Sequence, residues 1–244
     1  MRIVVLGSTG SLGKALVARA GERGHDVVAV SRRGPVAADV TTGEGLAAAF
    51  AGAEVVMDAT NALATAQQVL VDGTRRVLEA AAAAGVKHFV GISIVGIDKA
   101  PIAYYRTKVA QEAVITSGIV PWTLLRATQF HDLIPRFATG KLGIVVVPRG
   151  WTLQPIDVRE VAAVLIEAAE RPPAGRLPDV GGPEVLRFAD LARSWAKAAR
   201  VRRFVVSLPL PGAMGRFLTS GALTTPEHKV GTRTFSAWLR ETYS

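Results

Sequence analysis

Ile3-Val4-Val5-Leu6-Gly7-Ser8-Thr9-Gly10-Ser11-Leu12-Gly13 is the stretch that decides how this 244-residue chain reads. A short apolar run reads as a buried strand, and three glycines spaced G-x-x-G-x-x-G follow it and open a helix. In a strand, turn and helix of this kind one glycine permits the tight turn. A second lets the backbone approach a pyrophosphate, and the third, Gly13, lets the helix pack close to the strand. Gly7, Ser8, Thr9, Gly10, Ser11, Leu12 and Gly13 are the candidate cofactor-binding residues, a turn whose free N–H groups and helix dipole face an anion. The spacing is shifted from the commoner G-x-G-x-x-G. The expectation therefore rests on the strand and helix that flank the glycines as much as on the glycines.

Outward from this turn, apolar runs alternate with helical patterns. Strands are predicted at 3–6, 27–30, 36–40, 55–58, 89–94 and 122–125. Helices are predicted from the glycine turn to about 23, at 46–50, over a long alanine-rich stretch ending at Gly85, and at about 102–116. Strands that are continuous apolar runs suit a parallel sheet buried on both faces. After Arg126 the pattern loosens around Pro135, Gly140, Gly143, Pro148, Gly150 and Pro155, with one strand-like run at 144–147. Such a region reads as substrate loops. A helix at 158–170, with Asp157 as its N-cap, returns to the core, and further helices are predicted at about 188–199 and near Trp238. The fold class is α/β: a Rossmann-like doubly wound parallel sheet with a small discontinuous C-terminal cap. Residues 1–128 form the dinucleotide-binding core. Residues 129–244 supply substrate loops and cap, with 157–180 returning to the core. Trp195, Phe204, Phe217 and Trp238 are expected to build the core of the cap.

Composition narrows the function classes. With 49% hydrophobic and 20% charged residues the chain can bury a sizeable core, which excludes a disordered or fibrous protein. It has no cysteine, so disulfides, thiolate nucleophiles and cysteine-ligated zinc are excluded. The first residues reach glycines too soon for a signal peptide, and no apolar run is long enough to span a bilayer, so a cytoplasmic location without a membrane partner is expected. There are 29 basic and 20 acidic residues, a balance of +9. Residues 171–244 hold 12 basic and 5 acidic side chains, so the excess lies in the last third. No recognisable nucleic-acid-binding motif accompanies it, and it reads as a solvated or anion-facing surface. His25, His88, His131 and His228 show no ligand spacing, and no metal site is predicted.

The second strand bears on the cofactor. A carboxylate there would hold a ribose 2′-hydroxyl, but this chain has Ser31-Arg32-Arg33. A guanidinium offers several planar donors to a 2′-phosphate, so NADP(H) is preferred over NAD(H), unless both arginines are only solvated loop charges. Asp39, at the end of the third strand, could accept from the adenine amino group with Val40 beside the ring. After the fourth strand Ala59, Thr60 and Asn61, following Asp58, would let the cofactor pass over the backbone. For Asp39, Asp58 and Asn61 ordinary turn or capping polarity is a nearly equal alternative. Tyr104 and Lys108 stand at i and i+4, which places an ammonium near a phenol and would lower its pKa toward a general acid or base. Ser93, expected just past the fifth strand, could orient a substrate oxygen.

These motifs, together with Ser93-Ile94-Val95-Gly96, Glu112, Leu125-Arg126-Ala127-Thr128-Gln129-Phe130 and Gln154-Pro155-Ile156-Asp157-Val158, resemble the short-chain dehydrogenase/reductase superfamily, and more narrowly its atypical NmrA-like branch. The resemblance implies a Rossmann-type fold, Lys108 on the nicotinamide ribose, and Ala127, Thr128 and Gln129 beside the nicotinamide. Members of that branch reduce quinones, flavins or phenolic precursors, act as isomerases or dehydratases, or bind the dinucleotide as redox sensors. The tyrosine that many members have lost is present here, which favours catalysis. A single serine stands among Ile92, Ile94 and Val95 where the family's standard pattern has a pair. Gln129, Phe130 and His131 are candidate substrate residues, with a hydrogen-bonded loop role the alternative for His131. The expected function is an NADPH-dependent oxidoreductase acting on a small apolar carbonyl, quinone or enone. An NADP-binding redox sensor without turnover is the alternative. The expected partner is a small molecule, not nucleic acid, and the chain is expected to be a monomer or homodimer.

Overall fold

A computed structural model of the chain describes residues 1–140 and 143–244; positions 141 and 142, within the expected loop region 129–156, lie outside the described residues. The strands are β1 (Arg2–Leu6), β2 (Asp26–Ser31), β3 (Val36–Ala37), β4 (Val55–Asp58), β5 (His88–Ile94), β6 (Trp122–Ala127), β7 (Ile144–Pro148), β8 (Thr152–Leu153), β9 (Gly175–Arg176), β10 (Leu186–Arg187) and β11 (Phe204–Leu208). The helices are α1 (Ser11–Glu22), α2 (Leu46–Phe50), α3 (Gly73–Ala83), α4 (Ala103–Thr116), α5 (Leu133–Phe137), α6 (Val158–Ala169), α7 (Phe188–Ala198), α8 (Gly212–Thr219) and α9 (Phe235–Tyr243).

Two compact units emerge. The first comprises Met1–Ser93, Ile102–Arg126 and Val161–Pro178. Its sheet runs β3-β2-β1-β4-β5-β6-β9, and β1 pairs in parallel with both β2 and β4. Strand order therefore reverses between β1 and β4, the switch point at which a doubly wound sheet leaves a crevice beyond its strand ends. Val4 faces Val28 on one side and Val56 on the other. These three valines, with Phe50, Phe89 and Leu124, belong to one continuous buried cluster. The alanine-rich helix departs from the predicted pattern at its start: residues Gln67–Asp72 form a π-helical turn that runs into α3. Gly73 sits at the junction, where a Cβ would come within 3.0 Å of Val40 Cγ2.

The second unit comprises Ile94–Pro101, Ala127–Glu160 and Asp179–Ser244. The boundary departs from the expected one at Ile94–Pro101, which joins this unit because Gly96, at φ +77°, lies so close to Ala222 that a Cβ would fall 1.7 Å from its carbonyl oxygen. Asp157 caps α6, accepting from Arg159 N at 2.8 Å. β7 and β11 pair in parallel, and β8 pairs antiparallel with β10. Of the four aromatics assigned to a cap core, Phe217 is buried and Trp195 and Trp238 are half-buried, while Phe204 is exposed. Phe204 lies on the open face of a two-stranded sheet, so it has no second layer to pack against.

Candidate functional site

The glycine turn follows Leu6, the last residue of β1. Gly7 adopts φ +72°, and a Cβ there would lie 2.8 Å from Ala59 O, so the turns after β1 and β4 touch at the switch point. At Gly13 a Cβ would fall 2.1 Å from Gly7 O. The fold itself demands these two glycines. Gly10 differs: at φ −72° its Cβ would meet only Gly7 O, at 3.2 Å. It is the N-cap of α1, no side chain caps the helix, and the first turn carries no acidic residue. The N–H groups of the first turn and the helix dipole are thus left for an external anion. Ser8 N donates to Val30 O at 3.1 Å and ties the turn to β2. Gly10→Val is accordingly expected to lower the melting temperature less than Gly13→Ala does while weakening dinucleotide binding by about 100-fold, equivalent to one or two lost charge-assisted hydrogen bonds. Gly13→Ala, whose Cβ would fall 2.1 Å from Gly7 O, is expected to lower the melting temperature the more of the two. Thermal melts with and without NADPH separate the two.

Ser31 ends β2, and Arg32 and Arg33 follow it in an exposed turn, neither with an ion-pair partner among the described residues. Asp39 lies beyond the third strand, which is shorter than expected. β3 ends at Ala37, and the Asp39 carboxylate accepts from Thr41 N at 2.7 Å and Thr41 Oγ1 at 2.6 Å. These bonds, with a smaller contribution from Arg32, hold its pKa below the ordinary carboxylate value. The side chain closes a turn, which is the ordinary reading of an aspartate at this kind of position. Val40 is half-buried and packs against Gly73.

At the end of β4, Asp58 is buried and accepts from Thr60 N at 2.8 Å. Burial pushes its pKa up. Asn61 is exposed and accepts a 2.8 Å hydrogen bond from the hydroxyl of Tyr104, in the first turn of α4. Lys108 lies one turn further on, but its ammonium points elsewhere: it donates to Ile92 O at 2.9 Å and to Gln111 Oε1 at 2.6 Å. Gln111 in turn donates to Thr74 Oγ1 at 3.1 Å. The expected lowering of the phenol's pKa is therefore overturned. Burial raises the Tyr104 pKa, opposed only by the bond to Asn61. Burial also lowers Lys108 to about 8, against the pull of Asp58 and Glu112. Ser93 lies within β5 rather than past it, and its buried Oγ has no hydrogen-bond partner among the described residues. Gln111 and Thr74 were missed in the sequence; the one signal for Gln111 was its place three residues after Lys108.

In the second unit, Ala127 is buried and bridges Val180. Thr128 donates from Oγ1 to Gln154 O at 2.5 Å, and from its backbone N–H to Val180 O at 3.0 Å. Gln129 is buried, its Nε2 donating to Leu223 O at 3.3 Å and its Oε1 unpartnered among the described residues. Phe130 is half-buried and bridges Ile156. His131 is hydrogen-bonded within its loop. It is 1% exposed, donates from Nε2 to Pro155 O at 3.1 Å, and packs edge-on against Phe235 and Trp238. Burial lowers its pKa, and its Nδ1 has no hydrogen-bond partner among the described residues.

A family model described as NAD(P)H-binding matches residues 7–172. A (4-alkanoyl-5-oxo-2,5-dihydrofuran-3-yl)methyl phosphate reductase of Streptomyces griseus is 29% identical over 240 residues, covering 88% of this chain and 81% of that one. The NADPH-dependent quinone oxidoreductase QOR2 of Escherichia coli, solved with NADPH, superposes with a TM-score of 0.77 over 99% of this chain and all of that one, at 18% identity. A short-chain dehydrogenase/reductase superfamily protein of Agrobacterium tumefaciens, solved with NAD, gives 0.76 over 100% and 96%, at 22% identity. These two solved structures share the fold.

Proposed function

Because this chain belongs to the NAD(P)H-binding family, we propose that it is an NADPH-dependent reductase of a small, mostly apolar carbonyl, quinone or enone compound. That it is an NAD(P)H-dependent oxidoreductase follows from the family match and from its reductase relative. The finer reading rests on one observation above the others: the hydroxyl of Tyr104, half-buried and aligned by Asn61 at 2.8 Å, on the helix that also buries Lys108.

The residues present fit a dinucleotide. The uncapped start of α1 offers N–H groups to a pyrophosphate, the small residues after β4 leave room over the backbone, and Arg32 and Arg33 offer donors to a 2′-phosphate. NADPH, when bound, supplies a hydride. The protein's own part is the proton. Because burial raises the pKa of Tyr104, the phenol stays protonated at neutral pH and acts as an acid, giving its proton to the substrate oxygen as reduction proceeds. Lys108 keeps one N–H beyond those used by Ile92 and Gln111, and this is the group assigned to a ribose hydroxyl. Ser93 Oγ, buried without a partner, is assigned to the substrate oxygen.

NADPH oxidation against a panel of quinones, enones and aldehydes, run beside a binding titration, tests the reading. Turnover of at least one class supports it, and tight binding with no turnover transfers the chain to the redox sensors. Replacing Arg32 and Arg33 together with alanine is expected to weaken NADPH by about 10- to 100-fold, the loss of one or two charge-assisted hydrogen bonds, and to leave NADH nearly unchanged. Equal weakening of both cofactors in the titration would show that the pair does not read the phosphate.

The pH dependence has a definite sign. Lys108 is held near 8 by burial, so its ammonium is present below that pH and lost above it, whereas an exposed lysine would stay charged to about 10.4. Cofactor affinity is therefore expected to fall as pH rises through about 8, and the step to vanish in Lys108→Met. Isothermal titration from pH 6 to pH 10, on the order of one unit per step, reads this directly.

A further inference from the structure

β7 and β11 pair in the register Ile144 to Phe204, Val146 to Val206 and Pro148 to Leu208. Side chains alternate across a strand, so one face of this small sheet collects Ile144, Val146, Phe204 and Leu208. The other face of β7, with Val145 and Val147, is buried. On the outer face Ile144 is 47% exposed, Val146 61%, Phe204 72% and Leu208 49%. Single exposed apolar residues need no explanation, but a contiguous strip of them marks an interaction surface.

The charge around the strip is one-sided. From Asp190 to Glu227 the chain contains six basic residues and no further acidic one. Arg193, Lys197, Arg202 and Arg203 line a groove together with Ile144 and Phe204. Arg193 pairs with Asp190 at 2.9 Å. Lys197, Arg202 and Arg203 are exposed and have no ion-pair partner among the described residues. Arg200, just past α7, sits at φ +54°, a left-handed position that glycine would occupy without steric conflict.

This combination discriminates among occupants. A second copy seated on the same face would set like cations against one another. A nucleic acid would answer the charge but leave aliphatic side chains against phosphates and water. A bilayer of anionic phospholipid answers both, with headgroup phosphates for the cations and the acyl boundary for the apolar strip. We infer that the β7–β11 face docks this protein onto an anionic membrane surface. No described helix is long and apolar enough to cross a membrane, so the contact is peripheral. It departs from the expectation that the chain has no membrane partner, and it stands whether or not the nucleotide reading holds.

Sedimentation of the full chain with phosphatidylcholine vesicles, with and without phosphatidylglycerol, is the test. Binding is expected only with phosphatidylglycerol and is expected to weaken as salt rises. Arg202→Ala with Arg203→Ala is expected to weaken it about 25-fold, roughly five-fold per cation at the surface, and Phe204→Ser about ten-fold. These side chains are exposed, so circular dichroism and the melting temperature are expected to match the parent. Lys87→Ala with Arg171→Ala removes two charges from exposed positions of the first unit and is expected to bind like the parent. No binding to either vesicle, equal binding to both, or equal weakening by the two charge pairs would overturn the inference. Tighter capture by a DNA duplex or an acidic peptide, or a dimer in sedimentation velocity that Phe204→Ser dissociates, would also overturn it and assign the face to that partner.

Discussion

Glu112→Ala is expected to cost the fold about 3–5 kcal/mol, the usual penalty for leaving one member of a buried ion pair without its partner. Glu112, on α4, and Arg126, on β6, meet in a two-pronged bridge: Nε donates to Oε1 at 2.7 Å and Nη2 to Oε2 at 2.5 Å. Their side chains are only 12% and 4% exposed, so water cannot replace the lost carboxylate. The pair also clamps α4, which carries Tyr104 and Lys108, to the sheet. Urea unfolding of the variant reads the loss as a lower midpoint at unchanged slope. Replacing both residues by methionine is expected to recover most of it, because an apolar pair leaves no charge buried. A loss below about 1 kcal/mol in the single variant would place the pair among surface bridges and remove it as a clamp.

The second large effect concerns chemistry. Tyr104→Phe removes one oxygen, which donates to Asn61 at 2.8 Å, and leaves the ring. If that hydroxyl gives the proton, kcat is expected to fall by about 10²- to 10⁴-fold, the range for a positioned general acid, while NADPH affinity stays unchanged. Asn61→Ala, which removes only the alignment, is expected to cost less and, because the bond to Asn61 opposes the effect of burial, to raise the phenol's pKa further. Unchanged kcat in Tyr104→Phe would take the tyrosine out of the mechanism, whereas a parallel loss of cofactor affinity would make it a structural support.

Several features of the site are legible in the sequence. The glycine spacing after Leu6 placed the turn, and the continuous apolar runs located β4 and α2 at the residues the structure shows. The missing carboxylate after β2 was equally plain, since Ser31-Arg32-Arg33 stands in its place. β8, β9 and β10 were not found, because two residues carry no period to read. Nor was the pairing of β11 with β7, which joins segments about sixty residues apart. Asp39 and His131 show how local partners escape a reading of the chain. Each finds a partner that spacing does not reveal, Asp39 Oδ1 in Thr41 and His131 Nε2 in Pro155, beside the aromatic rings of α9.

Tyr104 and Lys108 show the division most sharply. Helical spacing alone places them on one face of α4, because backbone hydrogen bonding sets 3.6 residues per turn whatever surrounds the helix. Where each polar group then points depends on acceptors contributed by other elements: Ile92 O on β5 for the ammonium, and Asn61 after β4 for the hydroxyl. Backbone period and strand-turn-helix order are local properties and were written in the chain. Burial, and the pKa directions that follow from it, exist only once distant segments have excluded water from the same space.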